Sequence, residues 1–110
     1  MNTQKVNILK DKNIYVINLK GEFTQQNYEN KIKEIMENIR HINKLIFDCS
    51  SLSYINSSGI KLLIKVHKSL KNKNITLILS NVSDEFKDLF VFVGLHKLFK
   101  ICDTIEDCSK

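Results

Sequence analysis

Apolar and polar positions alternate over residues 5–10 and again over 13–20, on either side of the polar break Lys10-Asp11-Lys12-Asn13. The second run mixes Ile14, Val16, Ile17 and Leu19 with Tyr15, and β-branched, aromatic and bulky apolar residues in such runs predict a hairpin, ended by Gly21. The period then changes over residues 25–40. Tyr28, Ile32, Ile35, Met36 and Ile39 fall on one stripe of a helix, with Asn27, Asn30, Lys33, Glu34 and Glu37 on the other side. Leu45-Ile46-Phe47-Asp48-Cys49 has the near-continuous apolar character of a central strand covered on both faces. A loop carrying Leu52, Tyr54 and Ile55 leads to a second helix from about Ser57 to Leu70, with Ile60, Leu63, Ile64 and Leu70 inward. Ile75-Thr76-Leu77-Ile78-Leu79 reads as another buried strand. Ser83 is placed to cap a third helix, with Asp84 and Glu85 at its positive end and Gly94 as its stop. Leu98 to Cys102 is the expected last strand, and Thr104 the cap of a short terminal helix.

The resulting order, β-β-α-β-α-β-α-β-α, predicts an α/β fold: a mixed or mostly parallel sheet of four to five strands with helices packed after strands. With 110 residues, 43% of them apolar, the chain fits one domain over 1–110, whose core needs no metal or disulfide staple. No apolar run reaches the ~20 residues of a membrane span. Met1-Asn2-Thr3-Gln4-Lys5 leads straight into alternation rather than a leader-type stretch, so a cytoplasmic protein is expected. Cys49, Cys102 and Cys108 are an odd number without a Cys-x-x-Cys pairing, and are expected to be small, inert, reduced residues.

The formal charge of +5 alters this picture little. Lys61, Lys65 and Lys68 fall at helical spacing, with Lys71 and Lys73 following, and Asp84, Glu85 and Asp88 gather on another helix. A lysine row of this kind is the ordinary solvated face of a helix. The strands lack paired exposed aromatics with basic flanks, and there is no Gly-x-x-Gly clamp, so direct nucleic-acid binding is not expected. His41, His67 and His96 have no Cys, Asp or Glu at metal-ligand spacing. Ser57 sits in no Gly-x-Ser-x-Gly elbow, and His67, ten residues further along the same helix, is about 15 Å away. Neither an enzyme nor a cofactor is expected.

Informative chemistry is confined to Asp48 through Ile60. There a buried strand and a short connection deliver Asn56-Ser57-Ser58-Gly59 to the start of an apolar helix. A helix start offers unpaired N–H groups and partial positive charge; it can be capped by a polar side chain, and it would tolerate an added phosphate. Either Asn56 or Ser57 suits the cap, and Gly59, lacking a side chain, lets another surface approach closely.

The ordered set Asp48-x-Ser50-x-Leu52-x-Tyr54-Ile55-x-Ser57-Ser58-Gly59-Ile60 resembles the signature of the STAS domain family, the anti-sigma factor antagonists. Leu19-x-Gly21-Glu22 is similar to that family's turn after its second strand. Leu89-Phe90 with Gly94-Leu95-x-x-Leu98-Phe99-x-Ile101 is similar to its closing helix-to-strand passage. The resemblance implies a partner switch. The unmodified domain binds an anti-sigma factor that is also a serine kinase and so frees a sigma factor. Phosphorylation of the first motif serine, here Ser57, ends that binding, and a serine phosphatase reverses it. It also implies a contact surface of Gly21, Glu22, Phe23, Thr24, Asn56, Ser57, Ser58 and Gly59, to which Lys61, one turn into the helix, adds a steering charge. The domain is expected as a monomer or weak dimer. Asn56 and Thr24 stand where the family often has aspartates, which removes negative charge near Ser57. The alternative is a STAS interaction scaffold, in a sensing or transport assembly, without a phosphorylation switch.

Overall fold

The computed structural model describes residues 4–6, 13–39 and 41–109. Five strands, β1 (Gln4–Val6), β2 (Ile14–Phe23), β3 (Lys44–Ile55), β4 (Thr76–Ser80) and β5 (Lys100–Cys102), form one sheet in that order. β1 is antiparallel to β2, and β2 through β5 are parallel to one another. The helices α1 (Gln25–Asn38), α2 (Ser57–Lys71), α3 (Asp84–Phe92) and α4 (Ile105–Ser109) follow β2, β3, β4 and β5 in turn, and a 3-10 turn at Leu95–Lys97 precedes β5. The mixed α/β fold and its element order are those the sequence pattern predicts. Residues 7–10 of the expected first strand, and the break at 10–12, lie outside the described residues.

The apolar periods explain the layers. Leu45, Ile46 and Phe47 are all fully buried, as a strand with covered faces requires. On one face Ile17, Leu19, Leu45, Phe47, Leu77 and Leu79 meet Tyr28, Ile32, Ile35 and Ile39 of the α1 segment, Leu62, Leu63, Val66 and Leu70 of α2, and Phe90 of α3. On the other face Ile14, Val16, Ile46, Ile78 and Cys102 form a smaller cluster with Ile105 of α4 against it. Cys49 and Cys102 are both buried and free, and burial, with the Asp48 charge beside it, pushes the Cys49 thiol up to about 12.

Four expectations need correction. Gly21 does not end β2: it takes a positive φ of 69° and the strand continues to Phe23. Ser50 to Ile55 is not a loop, because β3 runs on to Ile55 in parallel pairing with the tail of β2. Two register shifts, between Asn18 and Lys20 and between Gly21 and Glu22, take up the extra residues on β3; bulges of this kind bend and re-aim a strand end. On α2 the buried set is Gly59, Leu62, Leu63, Val66 and Leu70, so Ile60 and Ile64 are only partly buried while Leu62 and Val66 face the core. Leu98 and Phe99 lie before β5, which starts at Lys100.

Candidate functional site

In a parallel sheet every strand ends at the same edge, and each following helix starts there. The tails of β2 and β3 are paired up to Phe23 and Ile55, so the starts of α1 and α2 are delivered side by side. Each has its own side-chain cap. Thr24 Oγ1 accepts from the N–H of Asn27 at 3.1 Å, and Asn56 Oδ1 accepts from the N–H of Gly59 at 2.9 Å. The cap of α2 is therefore Asn56, not Ser57.

Ser58 joins the two helix starts. Its hydroxyl donates to Asn56 Oδ1 at 2.7 Å and accepts from the backbone N–H of Gln25 at 3.0 Å. One hydroxyl thus satisfies an orphan donor of α1 while holding the cap of α2 in place. On the β2 side, Asn27 Nδ2 donates to the carbonyl of Glu22 at 3.1 Å, which ties the strand end to the first turn of α1. Gly59 allows this closeness. A Cβ at that position would lie 2.0 Å from the carbonyl oxygen of Phe23 and 2.9 Å from Cγ1 of Ile55. The close approach anticipated for Gly59 is made by the chain's own β2, and Gly59 and the Phe23 side chain are buried beneath the surface rather than presented on it.

What remains outward is small and mostly neutral. Ser57, the first residue of α2, is exposed, and its hydroxyl takes part in none of the bonds that tie this corner. The intrahelical bonding of α2 begins with the N–H of Ile60 donating to the carbonyl of Asn56 at 3.0 Å, so helix geometry leaves the N–H groups of Ser57 and Ser58 without an intrahelical acceptor. Glu22 and Lys61 are exposed, and Gly21, Thr24 and Asn56 are half-buried. Tyr54 is paired in register with Glu22 and is 48% exposed. Sequence reasoning overlooked Tyr54 and Gln25 as members of this corner; the one available signal was a large aromatic residue, Tyr54, inside a serine-rich motif.

Behind the site, midway along β3, Asp48 accepts from Asn81 Nδ2 at 2.9 Å, from the N–H of Ser50 at 3.0 Å and from Asn18 Nδ2 at 3.2 Å. Burial alone would raise its pKa, but the bonds from Asn81, Ser50 and Asn18 together hold the carboxyl below the usual range. Asp48 thus fastens β3 to β2 and to the residue after β4. His67 lies far along α2 from Ser57, its ring 5.6 Å from that of Phe99. Among the described residues no three His, Cys, Asp or Glu side chains gather in a way that could hold a metal ion, and no helix is long and apolar enough to cross a membrane.

The model of the STAS domain matches residues 5–108. Solved structures share the fold. The anti-sigma factor antagonist SpoIIAA in its unphosphorylated form is 24% identical, with 96% of this chain and 92% of that one covered, at a TM-score of 0.67. SpoIIAA of Bacillus in its phosphorylated form is 24% identical over 97% of this chain and 96% of that one, at 0.66. A putative anti-sigma factor antagonist from Thermotoga maritima superposes at 0.80, with 16% identity over 97% and 89% of the two chains. The STAS domain of a SulP transporter from Vibrio cholerae superposes at 0.71, with 19% identity over 87% and 76%.

Proposed function

The chain belongs to the STAS domain family, and from that premise we propose that it is an anti-sigma factor antagonist. In this reading it binds an anti-sigma serine kinase through the corner of Glu22, Thr24, Asn56, Ser57 and Lys61, and phosphorylation of Ser57 releases it. The observation that carries the reading is the exposed Ser57 hydroxyl, left unused because Asn56 performs the capping.

Modification there would add a charge of about −1.5 to −2 at a helix start whose free N–H groups suit an anion. The free domain would accept the phosphate without rearrangement. A partner docked on the same corner would have to desolvate it or set it against like charge. A differential of about 3 kcal/mol lowers affinity roughly a hundredfold, enough to turn a complex off.

The test is a pull-down with the cognate anti-sigma kinase, with and without ATP. Ser57→Ala should bind and resist ATP-dependent release, and Ser57→Asp should bind poorly. If both behave like the wild-type chain, the switch fails and the scaffold reading, which shares the fold with the SulP transporter domain, takes its place.

A further inference from the structure

The end of the molecule remote from Ser57 carries an anomaly. α3 buries Phe90 completely, stacked on Phe86 at 6.2 Å, so the next residues should be the solvated, polar side of the helix. Instead Val91 is 53% exposed, Phe92 87% and Val93 42%, and Leu98 after the 3-10 turn is 43% exposed. Gly94, at a φ of 85°, closes the helix and turns the chain back beside them.

The residues around this tip are basic. His96, Lys97 and Lys100 are exposed in the turn and at the start of β5. The last turns of α2 lie alongside, since His67 packs against Phe99 and feels the charges of Lys71 and Lys68. Both lysines are exposed, and α2 contains no acidic residue. The nearest carboxylate on α3, Asp88, is one turn back from the tip. The acids Asp84, Glu85, Asp103, Glu106 and Asp107 sit at the other end, where α3 and α4 start.

We propose that this tip docks on an anionic lipid surface, with Phe92 and its apolar neighbours entering the interface and the lysines meeting headgroups. Two features favour lipid. Val91, Phe92 and Val93 are consecutive, so on a helix end they point in different directions; a protein groove takes residues from one face, whereas a fluid apolar layer takes all of them. A symmetric pairing of two copies would bring Lys97 and Lys100 against their own counterparts. The assignment does not depend on Ser57, which would face away from the surface.

Co-sedimentation with vesicles of phosphatidylcholine, with and without phosphatidylglycerol, tests it. The chain should sediment with the anionic vesicles and weaken as salt rises. Phe92→Ser should lower binding about tenfold or more, as the loss of one buried aromatic requires. Lys97→Glu with Lys100→Glu should abolish the preference for phosphatidylglycerol. These positions are exposed, and circular dichroism will show the variants folded. Absence of vesicle binding overturns the proposal, as does binding that Phe92→Ser leaves unchanged. Self-association in sedimentation velocity that Phe92→Ser removes, without vesicle binding, would assign the tip to a second copy and overturn it too.

Discussion

Replacing Gly59 with alanine exchanges a hydrogen for a methyl group at the point where α2 crosses the end of β2. The new Cβ would stand 2.0 Å from the carbonyl oxygen of Phe23 and 3.0 Å from its carbonyl carbon. Those atoms are backbone, held by the pairing of Phe23 with Ile55 and by the cap that begins at Thr24, so no rotamer change relieves the clash. Overpacking of this kind costs about 1–3 kcal/mol, and an obstructing main chain argues for the upper end. Alanine is the better helix former by about 1 kcal/mol, which offsets part of the cost. The expected net loss is about 2 kcal/mol, which for a domain of this size lowers the melting temperature by about 10 °C. Thermal unfolding followed by circular dichroism, with urea titration for the free energy, reads both numbers. Gly21→Ala is the comparison: there nothing lies within 4 Å of the added atom and the penalty comes only from a φ of 69°, about 1–2 kcal/mol. Gly59→Ala melting at or above the wild-type temperature would refute the close-packing argument.

Other outcomes follow from the same corner and its surroundings. Asn56→Ala should cost about 1 kcal/mol through the lost cap, while Asn56→Asp should keep the cap and the wild-type melting temperature. Asp48 has a folded pKa below its ordinary value of 3.8, so its contribution to stability is present above that range and fades as pH falls through the folded pKa. A carbon-detected NMR titration should find the Asp48 carboxyl ionised at a pH where exposed aspartates are already half protonated. Cys49, buried and with its thiol pushed up to about 12, should resist alkylation in the native protein at neutral pH and react only after unfolding, as mass spectrometry of labelled peptides would show.

The layers were legible in the sequence because they follow from local period: the stripe of α1, the apolar core of β3 and the cap at Ser83 can each be read from a short window. What escaped is what two distant segments decide jointly. Ser50-Ser51-Leu52-Ser53 has the composition of a loop, and it becomes strand only because the tail of β2 is there to pair with it. Gly21 is a stop signal by residue type, yet its positive φ falls within the pairing, next to a register shift. In Ile60-Lys61-Leu62-Leu63-Ile64 several apolar residues are adjacent, so the pattern does not say which way the helix is rotated; contact with β4 and with α1 decides that. Similarly, Asn56 and Ser57 are equally good caps on paper. The bond from the N–H of Gln25 to Ser58, and from Ser58 to Asn56, selects Asn56 and leaves Ser57 outward.

That bond from Gln25 to Ser58 spans 33 residues of sequence, and it sets a practical limit on how the serine can be studied. A synthetic peptide covering residues 48–60 would contain every letter of the motif around Ser57. It would lack the Phe23 carbonyl beneath Gly59, the Gln25 donor and the Glu22 and Thr24 edge of the surface. An isolated segment of that length would not hold the helix start in water. Peptide arrays, and antibodies raised against the linear motif, would therefore display a chain that the folded corner does not resemble, and substrates for any modifying enzyme should be offered as the intact domain.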